Sequence, residues 1–312
     1  EGTKAANYDI TTTEGTLTVK PRSIAVTTPS GEWMYDAQEH YGEPAFTITE
    51  GDLVAGHTAE IASADSVMIN VGTTPNRVIL RITDGERDVT HNYKINYAYG
   101  TLRVTKRPIT VRIGSATLTY DGYAHTVTSV ELSPDSPYPL ASPRHSLRIK
   151  DGDVLSFTNA GSYINDPVIS VYDSRLGLYV TDNYAITRYD GTITIEKRPL
   201  HIGINGEKIY DDRPMDESDY HIDFLNGTSP ASGHTVTARA KTVPMNANAG
   251  TRESSIDQST LAIRDGYGRD VRKNYAVTFY KGGFTILRRP ISVTTATAEK
   301  VYDGLPLTDH TM

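Results

Sequence analysis

Four times along the chain the sequence runs Asn-Tyr, six residues, Gly, six residues, Arg: at Asn7–Arg22, Asn92–Arg107, Asn183–Arg198 and Asn274–Arg289. The copies recur at intervals of 85, 91 and 91 residues with the same internal spacing. The chain is therefore built from a unit of about 90 residues used repeatedly. Before each glycine, Tyr8/Ile10, Tyr93/Ile95, Tyr184/Ile186 and Tyr275/Val277 share one face. After it, Leu17/Val19, Leu102/Val104, Ile193/Ile195 and Phe284/Ile286 do the same. Alternation of this kind, rich in Thr, Val, Ile and Tyr, predicts two half-buried strands. The fixed glycine (Gly15, Gly100, Gly191, Gly282) predicts a tight hairpin turn that needs positive φ.

A basic-Arg-Pro step follows at Lys106-Arg107-Pro108, Lys197-Arg198-Pro199 and Arg288-Arg289-Pro290, scrambled to Lys20-Pro21-Arg22 in the first copy. Apolar alternation resumes at once in Ile24/Val26, Ile109/Val111, Leu200/Ile202 and Ile291/Val293. Proline cannot donate to a ladder, so the step reads as a seam between stiffly coupled domains. The resulting boundaries are 1–22 (closing hairpin of a partial domain), 23–107, 108–198 and 199–289 (three complete repeats), and 290–312 (an opening strand). A chain opening and closing in mid-repeat suggests a piece of a longer array.

Composition removes several function classes. A unit of this size buries roughly 60–70% of its unfolded surface and needs no staples, and the absence of cysteine excludes disulfides and thiolate metal sites. A net charge of −7 argues against a nucleic-acid partner. No apolar run is long enough to span a membrane. Tyr dominates the aromatics, with 20 residues against 5 Phe and 1 Trp, as suits a partly amphipathic β core.

Each complete repeat carries about seven short strands with turn signals and no helical periodicity. Turns are marked by Tyr35-Asp36, Tyr120-Asp121-Gly122, Tyr210-Asp211 and Tyr302-Asp303-Gly304. The predicted class is all-β: tandem immunoglobulin-like antiparallel β-sandwiches in an elongated head-to-tail array. The Tyr opening the penultimate strand sits where such sandwiches place a tyrosine corner. A β-grasp-like unit is the alternative and would need an amphipathic helix that the sequence does not show.

The motifs together resemble the bacterial surface repeats called MBG or YDG domains. The residues that carry the resemblance are the two Tyr-Asp-Gly turns, Gly233-His234, Asn248-Ala249-Gly250-Thr251, Asp270-Val271-x-x-Asn274-Tyr275, Gly100-Thr101-Leu102 and Lys106-Arg107-Pro108-Ile109. The resemblance spans the chain. It departs at Ala37 and Asp212, where the third turn residue is not glycine. It implies a tandem module of large wall-anchored or secreted, often adhesin-like, proteins of Firmicutes and related bacteria.

Candidate chemistry is sparse. Asp84-Gly85-Glu86-Arg87-Asp88, Asp151-Gly152-Asp153 and Asp265-Gly266-Tyr267-Gly268-Arg269-Asp270 offer oxygen ligands for Ca²⁺. Their spacing fits no EF-hand, and solvated hairpin turns explain them better. His57 and His234 occupy equivalent places, with no evident counterpart in the second repeat, and neither lies in a catalytic or metal-ligand spacing. The repeated Asn invites an isopeptide reading. Hydrogen bonding to local backbone, with Tyr anchoring the core, is the simpler expectation. Trp33, Tyr41, Tyr97, Tyr99, Tyr138, Tyr172, Tyr179, Tyr189, Tyr267 and Tyr280 fall at non-repeated positions and suit a sugar-stacking surface.

The repeats predict a non-enzymatic stalk or spacer, a monomeric rod on the order of 100 Å long at ~3.3 Å per residue along each strand, and the resemblance implies that it stands on a bacterial cell surface. The sequence assigns no catalytic, metal or cofactor residues, and no defined binding residues. The alternative function is a glycan- or mucin-binding adhesin module.

Overall fold

The computed structural model describes residues 4–242, 248–295 and 297–308. Regular structure among them is β-strand, joined by short 3₁₀ turns, with no α-helix. The all-β class holds, and the helix a β-grasp unit needs is missing from the described residues.

The repeated stretch is not a hairpin. Tyr93–Ala98 runs parallel to Arg22–Thr27, whereas Thr101–Thr105 runs parallel to Gly31–Met34 and antiparallel to Gly72–Pro75. In the second repeat Tyr184–Tyr189 pairs with Arg107–Ile113, and Gly191–Glu196 with Ala116–Thr119 and Gly161–Asn165. In the third, Tyr275–Phe279 and Gly282–Leu287 both lie parallel to the long strand Arg198–Ile209. Each closing pair is thus one path that follows its own opening strand, and the first two switch sheets beside it. Alternation gives both strands an apolar face, but a switch between sheets leaves no local alternation signal of its own.

The length of the opening path decides whether it breaks. From Arg22 to Tyr35 and from Arg107 to Tyr120 the step is 13 residues, and the strand divides at Thr28-Pro29-Ser30 and Gly114-Ser115. From Arg198 to Tyr210 it is 12, and the strand is unbroken. A buried amide clamps each break: Asn76 Nδ2 donates to Pro29 O and Glu43 O, and Asn165 Nδ2 to Gly114 O and Val127 O. The unbroken third repeat has Ser254 there instead, its hydroxyl donating to Ile204 O.

The fixed glycine answers a steric need. Gly100, Gly191 and Gly282 do not take positive φ. A Cβ on Gly100 would lie 2.3 Å from Pro29 O, and one on Gly282 would lie 2.1 Å from Ile204 O. Two backbones pass at contact distance there, and only a residue without a side chain fits.

The seam is likewise absent as a domain boundary. Lys106 alone separates Thr101–Thr105 from Arg107–Ile113, and Pro108 lies within the latter strand. The cores also run across the predicted borders. One packs Tyr35 and Val104 of the first repeat with Ile109, Val111, Ile169, Val171 and Tyr184 of the second. Another packs Tyr120, Ile193 and Ile195 of the second with Leu200, Ile202, Ile263, Tyr275 and Phe284 of the third. The front of the first repeat has its own core of Ile24, Val26, Leu80, Ile82 and Tyr93. Two compact units result, and neither follows the repeats: 1–113 with 129–153 and 167–190, and 114–128 with 154–166 and 191–312.

Candidate functional site

The motifs of the repeat converge on a joint. Each Asn-Tyr leaves a 3₁₀ turn, Thr90–Asn92, Thr181–Asn183 or Arg272–Asn274, and the Tyr opens the next strand. The Tyr hydroxyls of Tyr93, Tyr184 and Tyr275 accept from the backbone N–H of Val54, Ala141 and Ala231, 3.0, 2.9 and 2.9 Å away. The same hydroxyls lie 2.7, 2.6 and 2.7 Å from Nδ1 of His57, His145 and His234. The hydroxyl bonds backbone as a tyrosine corner does, with a histidine added. His145 is the counterpart the sequence hid: it follows Arg144 rather than Gly, so the Gly-His signal was absent.

The Asn and Tyr of one repeat dock on the repeat before it. Tyr35 meets Tyr184 edge-on at 5.5 Å and stacks on His145 at 6.2 Å. Tyr120 meets Tyr275 at 5.5 Å and His234 at 5.9 Å. Asn183 Oδ1 accepts from Val71 N, and its Nδ2 donates to Asn70 Oδ1, both at 2.9 Å. Asn274 makes the same pair of bonds with Ala160 N at 2.9 Å and Asn159 Oδ1 at 3.0 Å. The expectation that this Asn bonds local backbone is therefore wrong: its partners lie more than 100 residues upstream. The arginine that ends the stretch reaches the same joint, Arg107 donating to Tyr35 O and Arg198 to Tyr120 O.

The Tyr-Asp-x turn presents the docking Tyr. Its third residue is left-handed in every copy, Gly122 at φ 89 and Gly304 at 79, but also Ala37 at 61 and Asp212 at 66. Its Asp side chain accepts from the N–H two residues on, at Gln38, Tyr123, Arg213 and Leu305. These are Asx turns, formed whether or not glycine is present.

In one joint the ring of His145 also lies 3.1 Å from Asp173 Oδ2. An Asp–His–hydroxyl series of this order is a nucleophile-activating arrangement elsewhere. Here the hydroxyl is a phenol whose pKa burial pushes up to about 12, against the lowering effect of the Ala141 N–H. The His145 side chain is fully buried. The series has no access to a substrate, and it works as packing. The phenols of Tyr35, Tyr120 and Tyr275 are likewise raised by burial, and the imidazole of His234 is lowered by it.

The other candidates scatter. Asp265 Oδ1 accepts from Tyr267 N and Arg269 N, and its Oδ2 pairs with the Arg269 guanidinium, so its own turn occupies it. The Asn183 and Asn274 side chains are spent on the joint bonds rather than on a lysine. Trp33 stacks on His40, Tyr97 on Tyr99, and Tyr280 packs against His201. Guanidinium groups cover a face of Tyr99, Tyr138, Tyr189, Tyr172 and Tyr267. Tyr41 and Tyr179 are exposed, their hydroxyls bonded to Glu39 and Asp151.

One groove, of about 770 Å³, opens in the second compact unit. Tyr123 and Tyr267 stand at it beside Asp121, Arg269 and Lys273, and Tyr267 is 87% exposed. Tyr123 is an aromatic that sequence reasoning passed over, because it adjoins the Tyr-Asp-Gly turn and reads as part of it.

No family model and no curated protein matches the chain. Among solved structures, Drosophila N-cadherin EC1-3 aligns at 10% identity over 84% of this chain and 98% of that one, with a TM-score of 0.28. The human Desmocollin-1 ectodomain aligns at 11% identity over 88% and 61%, with a TM-score of 0.22. The N-terminal four Ig domains of Dscam1 align at 9% identity over 85% and 73%, with a TM-score of 0.18. At these scores the likeness carries no argument about function. No helix among the described residues is long and apolar enough to cross a membrane.

Proposed function

We propose that the chain is a stalk segment of a bacterial surface protein, a non-enzymatic module that holds other domains away from the cell. The observation that carries this reading is the twice-built joint. At these two joints the Asn, Tyr, His and Arg side chains of the motif, together with the Tyr of the turn, are spent on fixing one repeat to the next. Buried aromatic contacts and two hydrogen bonds per Asn resist bending and shear at each joint. The resemblance to MBG and YDG repeats supports the extracellular, wall-attached setting. Small-angle scattering tests it: a maximum dimension on the order of 100 Å, as strands rising ~3.3 Å per residue require for three repeats, supports a stalk. A dimension near half of that overturns the reading.

The groove at Tyr123 and Tyr267 favours a second reading, glycan binding, since two exposed rings beside an Asp and an Arg suit sugar stacking with polar anchoring. A mucin and glycan array separates the two. Saturable binding lost in Tyr267→Ala supports an adhesin module, and a folded protein silent on the array leaves the stalk reading standing.

A further inference from the structure

Asparagine is followed by glycine twice in the chain, at Asn205-Gly206 and Asn226-Gly227. Such a step is chemically labile, because glycine brings its backbone nitrogen to the neighbouring amide carbon with no side chain in the way. The fold treats the two steps in opposite ways. Asn205 lies inside the strand Arg198–Ile209, and Gly206 faces Tyr220 on one side and Phe284 on the other. The Asn205 Nδ2 donates to Asp223 Oδ2, its Oδ1 accepts from Gly283 N at 2.7 Å, and Gly206 is buried. Asn226 and Gly227 are instead exposed, at the tip of a turn closed by Thr228 N donating to Leu225 O at 3.0 Å. Both have positive φ, 54 and 70, as the central pair of a type I′ turn does. Beyond its chain neighbours nothing lies within 4 Å of where a Gly227 Cβ would stand. The Gly227 N–H makes no backbone hydrogen bond among the described residues. The Asn226 amide reaches back to the sheet, its Nδ2 lying 2.9 Å from His201 Nδ1 and donating to the Tyr280 hydroxyl at 3.0 Å.

We propose that Asn226 is a self-modifying site, where the folded chain releases ammonia and takes up water. The Gly227 backbone nitrogen attacks Cγ of Asn226 and gives up its proton. The N–Cγ bond forms, the Cγ–Nδ2 bond breaks, and Nδ2 leaves as ammonia carrying that proton. Water then opens the cyclic imide. Attack at Cγ leaves aspartate in the ordinary main chain, and attack at the backbone carbonyl leaves isoaspartate, which lengthens the turn by one main-chain atom. No oxidant or reductant takes part. Either product exchanges an amide donor for a carboxylate, so the charge beside His201 and Tyr280 falls by one and their bonds to the amide are remade. At Asn205 the same attack must wait for a strand paired on both sides to open. Conversion is therefore confined to the exposed turn, and the share of altered chains records the age of the protein.

The intact chain, incubated in mildly alkaline buffer made with heavy-oxygen water and followed by ion exchange and peptide mass mapping, tests this. An acidic form should accumulate, altered at Asn226, carrying one solvent oxygen there, and divided between aspartate and isoaspartate. Asn226→Asp should elute with it from the start, and Asn226→Gln should not produce it. In the folded chain Asn205 should convert at least about a hundredfold more slowly, each ~1.4 kcal/mol of strand opening slowing it tenfold. In urea, where neither step is held, the two should react at like rates. An Asn226 that reacts only in urea, an Asn205 that keeps pace with it in the folded chain, or an acidic form altered elsewhere would each overturn the proposal.

Discussion

At the scale of single residues, the joint sets sharply unequal costs on chemically equal positions. Asn183→Ala and Asn274→Ala each strip a partner from a backbone N–H and from another amide, and should lower stability by about 1–3 kcal/mol. Asn92→Ala, at an exposed Asn of the same motif, should cost almost nothing; urea unfolding of the three variants makes the comparison. Ala37 pays for its left-handed φ of 61. Ala37→Gly should therefore stabilise the first compact unit by about 0.5–1 kcal/mol, net of the added chain entropy. His234 titrates low because burial opposes its charged form, with Asp265 pulling the other way and Arg198 adding to burial. Below about pH 6.5 the folded chain then holds fewer protons than the unfolded one, so stability is complete above that pH and declines as pH falls through the folded value. The melting temperature of the second unit should drop between pH ~7 and ~5, and His234→Gln should flatten that slope.

At the scale of strands, the alternation in Tyr93/Ile95 and Leu102/Val104 was enough to place both strands and their buried faces. Their partners were not legible. A period-two pattern says which face is buried and nothing about which sheet receives it. Gly100 between two such strands carries the same letters as a hairpin, and the approach of Pro29 O that requires it comes from 71 residues upstream. The Asn183–Asn70 pair was invisible for the same reason, since its meaning lies in a contact across repeats, whereas His145 was hidden by the Arg144 that stands where the other repeats have Gly. The distinction is measurable. Gly282→Ala drives a methyl group into Ile204 O and should destabilise by about 1–3 kcal/mol. A hairpin glycine at positive φ would tolerate Ala worse than Asn, whereas this site should reject both. Gly15→Ala, where an added Cβ meets nothing within 4 Å, should be silent.

At the scale of the whole molecule, the repeat is the unit of sequence but not of packing. Ile195 and Leu200 stand on opposite sides of the Lys197-Arg198-Pro199 step and share one core. Ile195→Ala and Leu200→Ala should therefore lower the same calorimetric transition, by about 2–5 kcal/mol each. Gly191→Val should disturb the third repeat along with the second, because Gly191–Glu196 carries Ile193 and Ile195 into that core. Separate responses would restore the repeat as the folding unit. The parallel pairing of opening and closing strands also governs how such a chain is made. Ile109 waits 77 residues for Ile186, so as the polypeptide emerges from the ribosome a repeat stays open until its last stretch appears. When that stretch arrives it closes its own sheets and locks the preceding repeat in one event. Synthesis then advances the folded array in discrete clicks, and the exposed intermediate is never longer than about one repeat.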